Sequence, residues 1–307
     1  MNNIFFKTLK TAVLTAMSLF IISCSKDAPT PTNEKEDKGH DEWSKVTFTI
    51  RRGHLHGDNF HGNPENLLYP TQVFTFETDG TNIVRKNKDG KILEKGEEPI
   101  LMISGGIYAM EIVYYNAKGE RINSEFTTAQ MLPIHQHFFT VKEYLNTKTN
   151  QTSSDTSDLL DYTYRDTNPE NVMVNSYIDK RNSTKKSQLT NDALGLKGYF
   201  TAKVPYAKFD MRIRLLHIQS GTKYINNDKN KGSNPFNAPS DDLLTRSGTD
   251  FDQFLPVYIL TSPSSGEDGD YERYVKDLAD YFQKTTDEIK QILKESSEQQ
   301  ENSNYWM

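Results

Sequence analysis

The stretch VTFTIRRGHLHGDNFHG, residues 46–62, decides the reading of the chain, because Val46, Phe48 and Ile50 alternate with Thr47, Thr49 and Arg51. A period of two in β-branched and aromatic residues marks a half-buried strand. The parity of Val46, Phe48 and Ile50 is also that of His54 and His56, so unless Gly53 introduces a bulge the two imidazoles continue the core face beyond its apolar part. Alternate side chains on one face of a strand stand about 7 Å apart, within reach of one metal ion once the strand twists. His61 follows after Asp58, Asn59 and Phe60, and Gly53, Gly57 and Gly62 let the backbone bend around the group.

The same period governs the chain outward from this point. QVFTFET, GIYAMEIVYYN, HFFTV, YFTAKV, KFDMRIRLLHI and FLPVYIL alternate or run apolar, punctuated by TDG, KDG, AKG and QSG turns. The expected fold is mostly β, with antiparallel sandwiches of the Ig-like kind. The polar stretch Asn146–Asp158 reads as a boundary, giving two sandwich domains at about 44–145 and 159–262, with one larger sandwich as the alternative. A second polar stretch, Ile178–Asp192, reads as a long loop. After residue 262 the period changes: Tyr271, Tyr274, Val275, Leu278, Tyr281 and Phe282 recur at helical spacing. Thr285 or Thr286 with Glu288 caps a second helix carrying Ile289, Ile292 and Leu293, so 268–307 is expected to be a short helical segment and tail. Tyr305 and Trp306 near its end are expected to pack on the body.

A second His-x-His unit lies in IHQHFF, where His135 and His137 share parity with Phe139 and Val141. Five of the seven histidines thus fall into two pairs and a neighbour. Imidazole with no cysteine suits zinc or copper(II), which makes His54, His56, His61, His135 and His137 the expected ligands. Asp58, Glu125 and Met131 are possible additional ligands, the last as a thioether for copper. Haem is the alternative cofactor, with two of the histidines on iron and Tyr and Phe lining the pocket. His217 reads as a packed strand histidine and His40 as a solvated linker residue. No Ser nucleophile elbow, P-loop or HExxH motif occurs, so an enzyme is the least supported class. The remaining alternative is a glycan- or protein-binding module whose histidines are structural.

The first residues, MNNIFFKTLKTAVLTAMSLFIISC, combine a basic start, an apolar run and the only cysteine, Cys24. The run is shorter than the roughly 20 apolar residues of a membrane-crossing helix. IISC resembles the lipobox of bacterial lipoproteins, which implies a signal peptide over 1–23, acylation of Cys24 (palmitate among the chains) and a flexible tether over 24–43 that is rich in Pro, Thr and charge. The formal net charge is −6, and a leader carrying Lys7 and Lys10 without an acid leaves −8 once removed, which argues against nucleic acid as a partner.

The lipobox, the tether, RRGHLHGDNFHG, EIVYYNAKGERIN, IHQHFF, ALGLKGYFTAKVPYAKFDMRIRLLHI and NPFNAPSDDLL together resemble a group of uncharacterised surface lipoproteins of Gram-negative bacteria. That resemblance implies a cell-envelope protein, lipid-anchored to the outer membrane, accompanying an outer-membrane receptor or transporter. The histidine motif matches no established metal-site signature, and cupredoxins would need a free cysteine ligand, whereas Cys24 is expected to be acylated.

Overall fold

The computed structural model describes residues 39–65, 68–171, 188–189, 192–263, 270–298 and 305–307. The expected signal peptide, Cys24 and the tether as far as residue 38 lie outside the described residues, as does most of the loop expected at Ile178–Asp192. Among the described residues no helix is long and apolar enough to cross a membrane.

Two sheets face each other. The first contains β1 (Lys45–His56), β2 (Asn59–Gly62), β3 (Gln72–Thr78), β4 (Ile83–Asn87) and β5 (Ile92–Leu93). The second contains β6 (Ile100–Ile103), and the chain then returns to the first with β7 (Ile107–Tyr115). The second sheet resumes with β8 (His135–Val141), β9 (Tyr144–Asn146) and β10 (Gln151–Ser153), and the first with β11 (Leu160–Tyr164). A small ladder joins β12 (Thr167–Asn168) to β13 (Gln188–Leu189). β14 (Lys197–Ala202) then completes the first sheet, and β15 (Ala207–Ile218) and β16 (Ser247–Leu260) the second. Strand order is β11-β14-β7-β1-β3-β4-β5 in the first sheet, with β2 on β1, and β10-β9-β15-β16-β6 in the second, with β8 on β15. Pairing is antiparallel in both except where β6 runs parallel to β16.

This interleaving corrects the division at Asn146–Asp158. Both sheets take strands from either side of that stretch, and His40–Met307 forms one compact unit. The polar run is a hairpin connection at the sheet edge, β9 to β10, and its polarity reflects exposure there. One core joins the sheets: Val46, Phe48, Ile50, Phe76, Met110, Ile112 and Tyr114 of the first meet Phe139, Met211, Ile213, Leu215, Phe251 and Val257 of the second. Phe251 is at its centre, with ring centroids 5.6 Å from Phe48 and Phe76 and 6.0 Å from Tyr114.

Two short helices, α1 (Asn123–Phe126) and α2 (Asp241–Thr245), sit in connections, and α3 (Asp270–Phe282) and α4 (Thr286–Glu298) follow the sheets. Thr285 and Glu288 form the expected capping box: Glu288 N donates to Thr285 Oγ1 (3.2 Å) and Thr285 N to Glu288 Oε2 (2.8 Å). Tyr274, Val275, Leu278 and Ile289 pack on Leu101, Ile103, Tyr258 and Leu260 of the second sheet. Residues 305–307 lie along β2, with Phe60 N donating to Met307 O and Gly62 N to Tyr305 O (both 2.9 Å), and Trp306 is buried as expected.

Candidate metal centres

β1 pairs with β7 from Lys45 to Gly53 without a register shift, so His54 and His56 keep the alternation of Phe48 and Ile50. They project past the apolar core into an exposed position. Gly53 lets β2 approach β1 closely: a Cβ there would lie 2.2 Å from the His61 carbonyl and 2.3 Å from the Phe60 ring. The β1–β2 hairpin places His61 directly across from His54. His54 Nε2 is 3.1 Å from His56 Nε2 and 3.3 Å from His61 Nδ1, and one ligand nitrogen from each ring falls within 4.8 Å of the others. His54 Nδ1, on the far side of its ring, meets Asn63 Oδ1 at 2.7 Å. Trp306 stacks on His61 with ring centroids 4.1 Å apart and lies 5.2 Å from His56, closing one side of the group. Asp58 sits in the exposed turn and is not in this group.

The second pair does not join the first. β1 runs between the two regions: Lys45 lies near one, His54 in the other, and nine residues of strand separate them by roughly 30 Å at about 3.3 Å per residue. His135 and His137 also part from each other. His137 is fully buried, donates from Nδ1 to the Leu194 carbonyl (2.9 Å) and accepts at Nε2 from the Tyr114 hydroxyl (2.7 Å). Both nitrogens are satisfied and burial lowers its pKa to about 4, so His137 is a neutral core histidine rather than a ligand.

His135 instead belongs to a buried group with His40, His217 and Asp250. His135 and His217 are cross-strand partners in the β8–β15 ladder. Between Leu215 and Leu216 the pairing of β15 with β16 shifts register, Leu215 opposing Phe251 and Leu216 opposing Thr249, so Asp250 is the extra residue of a β-bulge. A bulge re-aims a side chain, and here it turns Asp250 toward the interior. Asp250 Oδ2 lies 3.1 Å from His40 Nε2, 3.2 Å from His135 Nε2 and 3.4 Å from His217 Nδ1. Burial works against this carboxylate's charge, but the three imidazoles outweigh it and hold its pKa well below the usual range. Burial likewise pushes His135 below its ordinary value.

The reading of His40 is thereby corrected, whereas His217 is the packed strand histidine expected, its ring 4.4 Å from that of His135. The side chain of His40 is 2% exposed, and residues 40–43 of the expected tether are fastened to the body. Trp43 Nε1 donates to Asp250 O (2.6 Å), Asn116 Nδ2 to Asp41 Oδ2 (2.9 Å), and Asp41 N to Glu125 Oε2 (2.6 Å). Glu125 thus holds this segment rather than joining either histidine group, and Met131 meets His135 through its carbonyl, which accepts from Nδ1 at 2.8 Å. Asp250 was beyond sequence reasoning, because nothing in SGTDFDQF marks which residue bulges.

A cleft of about 1080 Å³ lies elsewhere, on the outer side of the second sheet between Lys208, Arg212, Phe254, Arg273 and Tyr281. No histidine lines it. No family model, curated protein or solved structure matches the chain.

Proposed function

We propose that the chain is a lipid-anchored envelope protein that captures zinc or copper at the His54, His56 and His61 group and passes it to an outer-membrane receptor or transporter. The observation that carries this reading is the convergence of three imidazole nitrogens at an exposed hairpin. Three nitrogen ligands leave at least one coordination position open, which suits an ion that must enter and leave. The borderline softness of imidazole favours zinc and copper over magnesium or calcium. The lipobox at Cys24 supports the anchoring, and the tether supports presentation of the hairpin away from the membrane.

Metal titration of the purified full chain, beside a His54→Ala/His56→Ala/His61→Ala variant, tests the reading. The wild type is expected to bind one more ion than the variant, with an affinity tighter than about 1 μM, at least ~8 kcal/mol of binding. Equal binding by both chains would overturn it.

A further inference from the structure

With neutral rings, the buried histidine group carries a hydrogen-bonding conflict that either a second proton or a cation must relieve. A neutral imidazole carries one N–H and one lone pair. His135 directs Nδ1 at the Met131 carbonyl (2.8 Å) and His40 directs Nδ1 at the Asp41 carbonyl (3.0 Å). Carbonyls only accept, so in both rings the N–H is used there. Each Nε2 then turns a lone pair toward Asp250 Oδ2, itself an acceptor, at 3.2 and 3.1 Å. For neutral rings like poles thus face each other twice, with His217 Nδ1 a third nitrogen at 3.4 Å.

A cation at the middle removes the conflict. For metal–ligand bonds of about 2.0–2.1 Å, neighbouring ligand atoms in a tetrahedron stand about 3.3 Å apart, which is the spacing of all three nitrogens from the carboxylate oxygen. A ring N–H on a backbone carbonyl is also how metal-bound histidines are oriented by their surroundings. Phe126 packs against His40 and His135, with centroids 4.7 and 5.3 Å away, and keeps that side apolar.

We infer that His40, His135, His217 and Asp250 hold a divalent cation of the zinc class in a closed centre of three nitrogens and one oxygen. Its ligands come from four separate places: the segment before β1, and β8, β15 and the bulge in β16. With all four positions filled by protein and three of the four side chains at most 3% exposed, the centre has no place for substrate. Its work is structural. The ion clips the segment carrying His40 across this end of the sandwich.

The test uses the full chain carrying His54→Ala/His56→Ala/His61→Ala, so that surface capture cannot contribute. Refolded with cobalt(II) and dialysed against chelator, it is expected to retain one ion per chain, with the intense visible absorption of tetrahedral cobalt. Zinc should raise its melting temperature by several degrees. Adding Asp250→Asn, or separately His217→Ala, should abolish the retained ion. The second substitution, at the most exposed of the four residues, covers a folding failure of the first. A refolded chain with no retained ion and no metal-dependent melting shift would overturn the inference, leaving a protonated histidine–aspartate cluster. Retention of the ion by both added variants would overturn the ligand assignment.

Discussion

His137 and His135 differ by two positions and share a strand face, yet one is a satisfied core residue and the other part of a charged cluster. Parity placed both toward the interior correctly; what each ring meets there depends on Tyr114, Leu194, His40 and Asp250, which are remote in sequence. Tyr114→Phe should therefore cost about 1–2 kcal/mol through the lost hydrogen bond to His137, read by chemical denaturation, with metal stoichiometry unchanged. The two tryptophans offer a second residue-scale prediction, since Trp43 borders Asp250 and Trp306 stacks on His61. In a Trp43→Phe background, copper(II) should quench the fluorescence of Trp306. Quenching that persists after His54→Ala/His56→Ala/His61→Ala would detach Trp306 from the metal site.

At the scale of elements, the β1–β2 hairpin was largely legible: its alternation, its glycines and its three histidines are all local, and the strand carries no bulge at Gly53. The capping box that opens α4 was legible for the same reason. The β16 bulge was not, because a bulge is set by how two strands pair and not by a residue type. Gly53→Ala should push β2 away from β1, since the added carbon would collide with the His61 carbonyl and the Phe60 ring. Metal affinity at the hairpin is expected to fall at least tenfold, about 1.4 kcal/mol, measured by titration, while the buried group keeps its ion.

For the whole molecule, the mostly β class followed from period, but the pairing did not. Local alternation says that a segment is a strand and is silent on its neighbour, so a polar hairpin at 146–158 resembled a domain boundary while β7 and β14 paired across it. The resulting sandwich places one histidine group at each end of β1. Groups this far apart, sharing no partner, should act additively. Removing the exposed triad is expected to leave the melting shift produced by zinc at the buried centre within about 0.5 kcal/mol of its wild-type value. The most direct measurement is an anomalous difference map from crystals of the full chain grown with equimolar zinc. Two peaks are expected, one among His54, His56 and His61 and the other among His40, His135, His217 and Asp250. A map with no peak at the hairpin would contradict the proposed function.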